Sequence, residues 1–182
     1  MPLPLLIQSR NYAGKPQDFL TFVIEPVLSN LTEIPYVPGA AQLVLGTALT
    51  ESAGLKFRTQ NHGGPARGLF QMEGATHDDI WENFLKYRPA LSKQVMKMTI
   101  NGKPGAADDL KHNDNYAAAM CRVHYFRTAG NAIPGHNQIR GHAKAWKRHY
   151  NTPLGKGTEE KYIKDWKAHG GDGVKVRMFT PA

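Results

Sequence analysis

Glu51 ends an apolar run. The stretch PGAAQLVLGTAL before it, residues 38–49, carries no charge, and Ser52, Ala53 and Gly54 follow. On a helix, Val44, Thr47, Ala48 and Glu51 share one face, at spacings of three and four. A carboxyl on that face is desolvated by apolar neighbours, and in the last turn it meets the negative end of the helix dipole. Both effects disfavour the ionised form and raise the pKa. A carboxyl with a raised pKa can give and take a proton near neutral pH, which is what general acid–base work requires. The competing reading makes Glu51 an exposed helix-end acid, or the partner of Arg58 or Arg67.

Other constellations are weaker. The eight histidines form neither a His-Glu-x-x-His pattern nor, with Cys121, a zinc-type spacing, so no metal and no cofactor is expected. Cys121 has His124 nearby but sits in an alanine-rich apolar segment, where a small buried residue is the stronger reading. No phosphate-cradling glycine loop is present.

The elements that must position Glu51 read as helices. Residues 17–32 carry Phe19, Phe22, Val23, Val27 and Leu31 at helical spacing, with Pro26 kinking or ending the segment. The Glu51 helix should start near Pro38 and run to about Ala53, with Gly54 as its stop. Residues 54–68 hold four glycines and read as an ordered loop. A further helix should open at Thr76 as N-cap, with Asp78 and Asp79 in its first turn, and carry Ile80, Trp81, Phe84, Leu85 and Leu91, disturbed near Pro89. Residues 101–109 form a turn or loop. Residues 113–127 make a helix with Tyr116, Ala119, Met120, Val123 and Phe126 on one face, and 137–150 and 158–168 make two basic, tryptophan-bearing helices. Clear alternating strands are scarce. The expectation is a mainly α, compact bundle: an N-terminal extension over 1–37, a principal domain over 38–168, with a cleft between the 38–53 helix and the later helices, and a glycine-rich, extended tail over 169–182.

Composition bounds the setting. The chain has 182 residues, 41% of them hydrophobic, enough for a real core. The excess of 23 Lys+Arg over 15 Asp+Glu gives +8 and favours a polyanionic partner: nucleic acid, an envelope polymer or a membrane surface. A single cysteine permits no internal disulfide. The apolar patch in MPLPLLIQSR lacks a preceding basic region and is broken by Pro2 and Pro4, so no signal peptide is expected. No apolar run approaches the roughly 20 residues a membrane helix needs, so no membrane insertion is expected. The chain reads as made in the cytoplasm, with delivery by other means if it acts outside.

Glu51-Ser52, a glycine-rich loop and then Gly68-Leu69-Phe70-Gln71 resemble the signature of soluble lytic transglycosylases and goose-type lysozymes. Phe70 stands where that family usually has methionine. Asn113 or Asn115 opens a helix of the right kind, and His149-Tyr150-Asn151 stands where the family has Ala-Tyr-Asn, with the following glycine delayed to Gly155. The resemblance spans roughly residues 38–155. It implies a lysozyme-like fold with a substrate cleft and makes Glu51 the catalytic acid/base. Ser52 would orient the carboxyl or a sugar N-acetyl group. Gly68, Leu69, Phe70 and Gln71 would form the opposite side of the sugar site, Tyr150 would reach back toward the glutamate, and Asn151 would bind substrate. Plain alternatives are core packing for Tyr150 and a solvated loop end for Gln71.

The implied reaction is cleavage of the bond between N-acetylmuramic acid and N-acetylglucosamine in peptidoglycan. With no second catalytic carboxylate in an evident motif, the favoured route is that of a lytic transglycosylase, in which the substrate's own C6 hydroxyl is the nucleophile. Hydrolysis of the lysozyme type is the alternative, with Glu73 positioning a water, although Glu73 reads more simply as a surface acid. Small size, basic charge and the missing signal are similar to phage-encoded members of the superfamily. That implies glycan strands as partner, action on the bacterial wall, and carriage in a virion alongside other virion or tail proteins. Two further classes stay open. Lys144, Trp146, Lys147, Arg148, Lys156, Lys161, Lys164, Trp166 and Lys167 could bind nucleic acid, though helical spacing favours both tryptophans as core. A virion structural protein with an inactive lysozyme-like domain is the other.

Overall fold

The computed structural model describes residues 10–59 and 63–179. The chain is mainly helical, with one small hairpin among the described residues. Helix α1 (Pro16–Phe19) runs through a π turn over Leu20–Ile24 into α2 (Glu25–Asn30). Pro26 supplies no backbone N–H, and the wider turn lies just ahead of it. That turn shifts the helical register. Phe19, Val23, Val27 and Leu31 are buried as expected, but Phe22 is 51% exposed.

Helix α3 (Pro38–Glu51) is the central rod, buried along almost its whole length. Its glycines permit close approach: a Cβ on Gly46 would lie 1.9 Å from the Tyr162 hydroxyl. The helix stops at Glu51, two residues earlier than expected. Ala53, Gly54 and Leu55 then all adopt left-handed backbone, with φ of 49°, 76° and 67°. The Gly54 N–H donates to the Leu49 carbonyl at 2.9 Å.

The loop expected over 54–68 ends in secondary structure. Strand β1 (Ala66–Arg67) pairs antiparallel with β2 (Met72–Glu73), and Thr59 bridges to Arg67. Helix α4 (Gly74–Asn83) begins directly after β2, so Thr76 is not its N-cap. The single helix expected toward Leu91 is two. Leu85–Tyr87 forms a 3-10 turn, and Pro89 opens α5 (Pro89–Met96) instead of disturbing an older helix. The short α6 (Asp109–His112) leads into α7 (Asp114–Ala129). Of the two candidate asparagines, Asn113 is the cap: its side chain accepts from the Tyr116 N–H at 3.0 Å.

Helix α8 (Ile139–Trp146) continues through a second π turn, Lys147–Asn151. Helix α9 (Glu159–Ala168) starts at Thr158, whose hydroxyl accepts from the Lys161 N–H at 3.1 Å. Trp146 and Trp166 are each 1% exposed. They are core, and neither offers a ring for base stacking.

One hydrophobic cluster runs from Tyr12 to Trp166 and takes in Phe19, Leu20, Ile24 and Leu28. Residues 12–34 thus pack into the same core as the rest. The tail is extended after a short Gly171–Gly173 turn, and it docks on the first helices. The Lys175 N–H donates to Gln17 Oε1 at 2.7 Å, and the Arg177 N–H donates to buried Glu25 at 2.7 Å. Among the described residues no helix is long and apolar enough to cross a membrane.

Candidate active site

A cleft of about 670 Å³ opens at the C-terminal end of α3. Glu51 lines it from the end of α3, the hairpin contributes Gln71 and Glu73, and α4 contributes Thr76. Across from them lie His124 of α7 and the second π turn with His149, Tyr150 and Asn151. π turns are frequent at functional sites because they redirect side chains within a helix.

The Glu51 carboxylate is partly buried, and its Oε1 accepts the Trp146 indole N–H at 3.0 Å. Burial raises its pKa from 4.5 to about 7, against the Trp146 hydrogen bond and the Lys161 charge, with Asp165 adding a small upward push. The pairing alternatives do not form. Arg58 holds Asp114 through two hydrogen bonds at 2.6 and 3.0 Å, and Arg67 holds Asp108 at 2.7 Å. Lys161 instead serves the end of α3: its Nζ donates to the Thr50 carbonyl at 3.0 Å and to Asp165 at 2.6 Å.

The expected site residues divide. Gln71, Tyr150 and Asn151 line the cleft with Glu51. Gln71 sits at φ 47°, and its side-chain amide donates to the Gly68 carbonyl at 2.9 Å. Left-handed backbone at a non-glycine residue costs energy and collects at functional sites. Tyr150 does not spend its hydroxyl on the glutamate. It donates to the Phe70 carbonyl at 2.7 Å, with its ring stacked on Tyr125 at 5.5 Å and edge-on to His124 at 5.3 Å. Asn151 accepts from Lys147 Nζ at 2.9 Å.

Ser52, Gly68, Leu69 and Phe70 are not among the residues lining the cleft. Ser52 is fully buried, donating to the Ala48 carbonyl at 2.6 Å and accepting from the Leu55 N–H at 3.0 Å. It clips the end of α3 and starts the left-handed turn. Leu69 and Phe70 are core residues, with Phe70 against Phe19 at 6.0 Å between ring centres. Gly68 shapes the turn: φ is 73°, and a Cβ there would lie 2.1 Å from the Leu110 carbonyl oxygen. Its tight approach is to the protein's own backbone.

Trp146 is a site residue that the sequence marks as core or nucleic-acid contact and not as a partner of Glu51. The available signal is general: a buried indole N–H needs an acceptor. His124 also lines the cleft, which its sequence position near Cys121 does not signal. Burial holds its imidazole down to about 4, so it is neutral where Glu51 titrates. The Cys121 thiol is buried and pushed well up by that burial, which leaves it unsuited as a nucleophile. Among the described residues no group of three or more His, Cys, Asp or Glu could hold a metal ion.

The arrangement provides one carboxyl that exchanges a proton near neutrality, a second carboxyl in Glu73, and uncharged hydrogen-bonding groups in Gln71, Thr76 and Asn151. With Arg148 also on the cleft wall, that set suits proton transfer on a polar substrate. Compared with protein-family models, curated proteins and solved structures, the chain has no match.

Trp146→Phe tests the electrostatics. It removes the hydrogen bond that favours the carboxylate and keeps most of the packing. The Glu51 pKa should rise by roughly 1 unit, because a hydrogen bond to a charged group is worth about 1.5–3 kcal/mol and water returns part of it. A carboxyl-detected NMR titration measures this, and a pKa that stays put or falls contradicts the assignment.

Proposed function

We propose that this chain is a peptidoglycan-cleaving enzyme with a lysozyme-like helical domain, acting at the bond between N-acetylmuramic acid and N-acetylglucosamine. The observation that carries the reading is Glu51: a carboxyl with pKa about 7 lining an open cleft, hydrogen-bonded to Trp146 and, among the described residues, unpaired with any arginine. In the favoured route, protonated Glu51 gives its proton to the glycosidic oxygen as the C1–O bond breaks. The resulting carboxylate then takes the proton of the C6 hydroxyl as that oxygen bonds C1. The glutamic acid is restored and a 1,6-anhydro sugar is left. One group serves both halves, so a pKa near the working pH is the useful value. Gln71, Tyr150 and Asn151 would hold the saccharide, the first and last through amide hydrogen bonds and the tyrosine through its ring face.

One observation favours the hydrolytic alternative: Glu73 lies in the same cleft and is exposed to solvent. It could orient a water toward C1. The setting proposed is the bacterial wall, reached as part of a virion. The test is release of soluble glycan from purified, insoluble peptidoglycan. Steady release is expected. Intact material after prolonged incubation with folded protein would sink the enzymatic reading and leave a structural role.

A further inference from the structure

A second groove, of about 430 Å³, runs between α8 and α9, apart from the Glu51 cleft. Arg140 and Lys144 line one side, Lys164 and Lys167 the other, with Ile163, Glu159 and Glu160 completing it. All four cations are on the surface, exposed to solvent. Neighbouring lysines are tied down. Lys147 donates to Asn151 and the Gly155 carbonyl at 2.9 and 2.7 Å, and Lys161 is 2.6 Å from Asp165. The four groove cations have no ion pair among the described residues, and even Glu160 and Lys164, four apart on one helix, do not meet. Glu159 and Glu160 have a separate reason to be there, as acids in the first turn of α9.

We infer that this groove binds a flexible, linear phosphodiester polymer of the cell envelope. Arg140 and Lys144 stand about 6 Å apart along their helix, and Lys164 and Lys167 about 4.5 Å, so two facing rows can neutralise successive phosphates. No aromatic side chain lines the groove, and the tryptophans of both helices are buried. The groove therefore reads charge and offers bases no stacking platform, which favours a polyol-phosphate chain over single-stranded nucleic acid. The choice of an envelope polymer rests on the function proposed above, whereas the anion-binding groove itself does not.

The experiment titrates the full chain with an end-labelled polyol-phosphate polymer and with single-stranded DNA of matched phosphate number, across a salt series. Wild type should bind the polyol phosphate more tightly than the DNA. Log affinity should fall with log salt at a slope of about −3, from about 0.7 per phosphate for four contacts. The quadruple variant R140Q/K144Q/K164Q/K167Q should lose at least about tenfold in affinity at low salt and most of the slope, because each lost phosphate contact removes its counterion release. Glu160→Gln should tighten binding. Wild-type affinity in the quadruple variant, or no change in Glu160→Gln, would overturn the groove. Tighter binding to DNA would overturn the envelope partner. Glycan release is measured alongside: release without polymer binding removes the groove only, and polymer binding without release removes the glycosidase only.

Discussion

Glu51→Gln is expected to lower glycan cleavage by about 10²–10⁴-fold, the usual contribution of general acid–base catalysis. It should also stabilise the protein at high pH. The native pKa of Glu51 lies above its unfolded value, about 7 against 4.5. Below 4.5 both states hold the proton and the group is neutral in its effect. Between the two values only the native state holds it, so native stability falls as pH rises, by about 3 kcal/mol once the native group has ionised. Glutamine does not titrate. Mutant and wild type should therefore melt alike near pH 4, and the mutant should melt about 6–12 °C higher near pH 8. The same titration sets an alkaline fall in wild-type kcat/KM near pH 7, because the free enzyme must carry the proton. Full cleavage by the mutant would remove Glu51 from the mechanism. A mutant that melts lower at every pH would make the carboxylate a structural partner.

Gly68→Ala should be the most damaging small substitution near the cleft. Its φ of 73° disfavours any side chain, and the new Cβ would meet the Leu110 carbonyl oxygen at 2.1 Å. Left-handed backbone costs about 1–2 kcal/mol and the clash about 1–3 more, so the loss should be about 2–5 kcal/mol, or about 4–20 °C in Tm. Gly102→Ala is the control, with φ 65° and nothing within 4 Å of the added carbon, and should cost only the backbone part. Cleavage should suffer as well, because Gln71 and Glu73 ride on the same hairpin. Equal losses in the two variants, measured by denaturant unfolding, would show that the approach to Leu110 is not tight.

The helix at 38–51 is legible from Pro38 at its start and Gly54 beyond its end, that at 114–129 from the helical spacing of its apolar residues, and that at 159–168 only as a coarse helical segment. The structure departs from expectation where local signals underdetermine geometry. A π turn over Leu20–Ile24 adds a residue to one turn and moves Phe22 outward, and no residue type announces it. Pro89 fits both the end of one helix and the start of another. In the site, the resemblance transferred residue types but not side-chain directions. A tight turn between two-residue strands decides that Gln71 faces the cleft while Leu69 and Phe70 face the core. The Trp146 contact to Glu51 joins residues 95 apart in sequence, which no spacing argument near Glu51 could reach.

Mass spectrometry of the sugar ends released from purified peptidoglycan tests the central claim most directly. The account predicts soluble fragments ending in 1,6-anhydro-N-acetylmuramic acid, one water lighter than reducing ends, produced by wild type and absent with Glu51→Gln. Reducing ends would transfer the nucleophile from the sugar's C6 hydroxyl to a water beside Glu73. Intact glycan with folded wild-type protein would contradict the account outright.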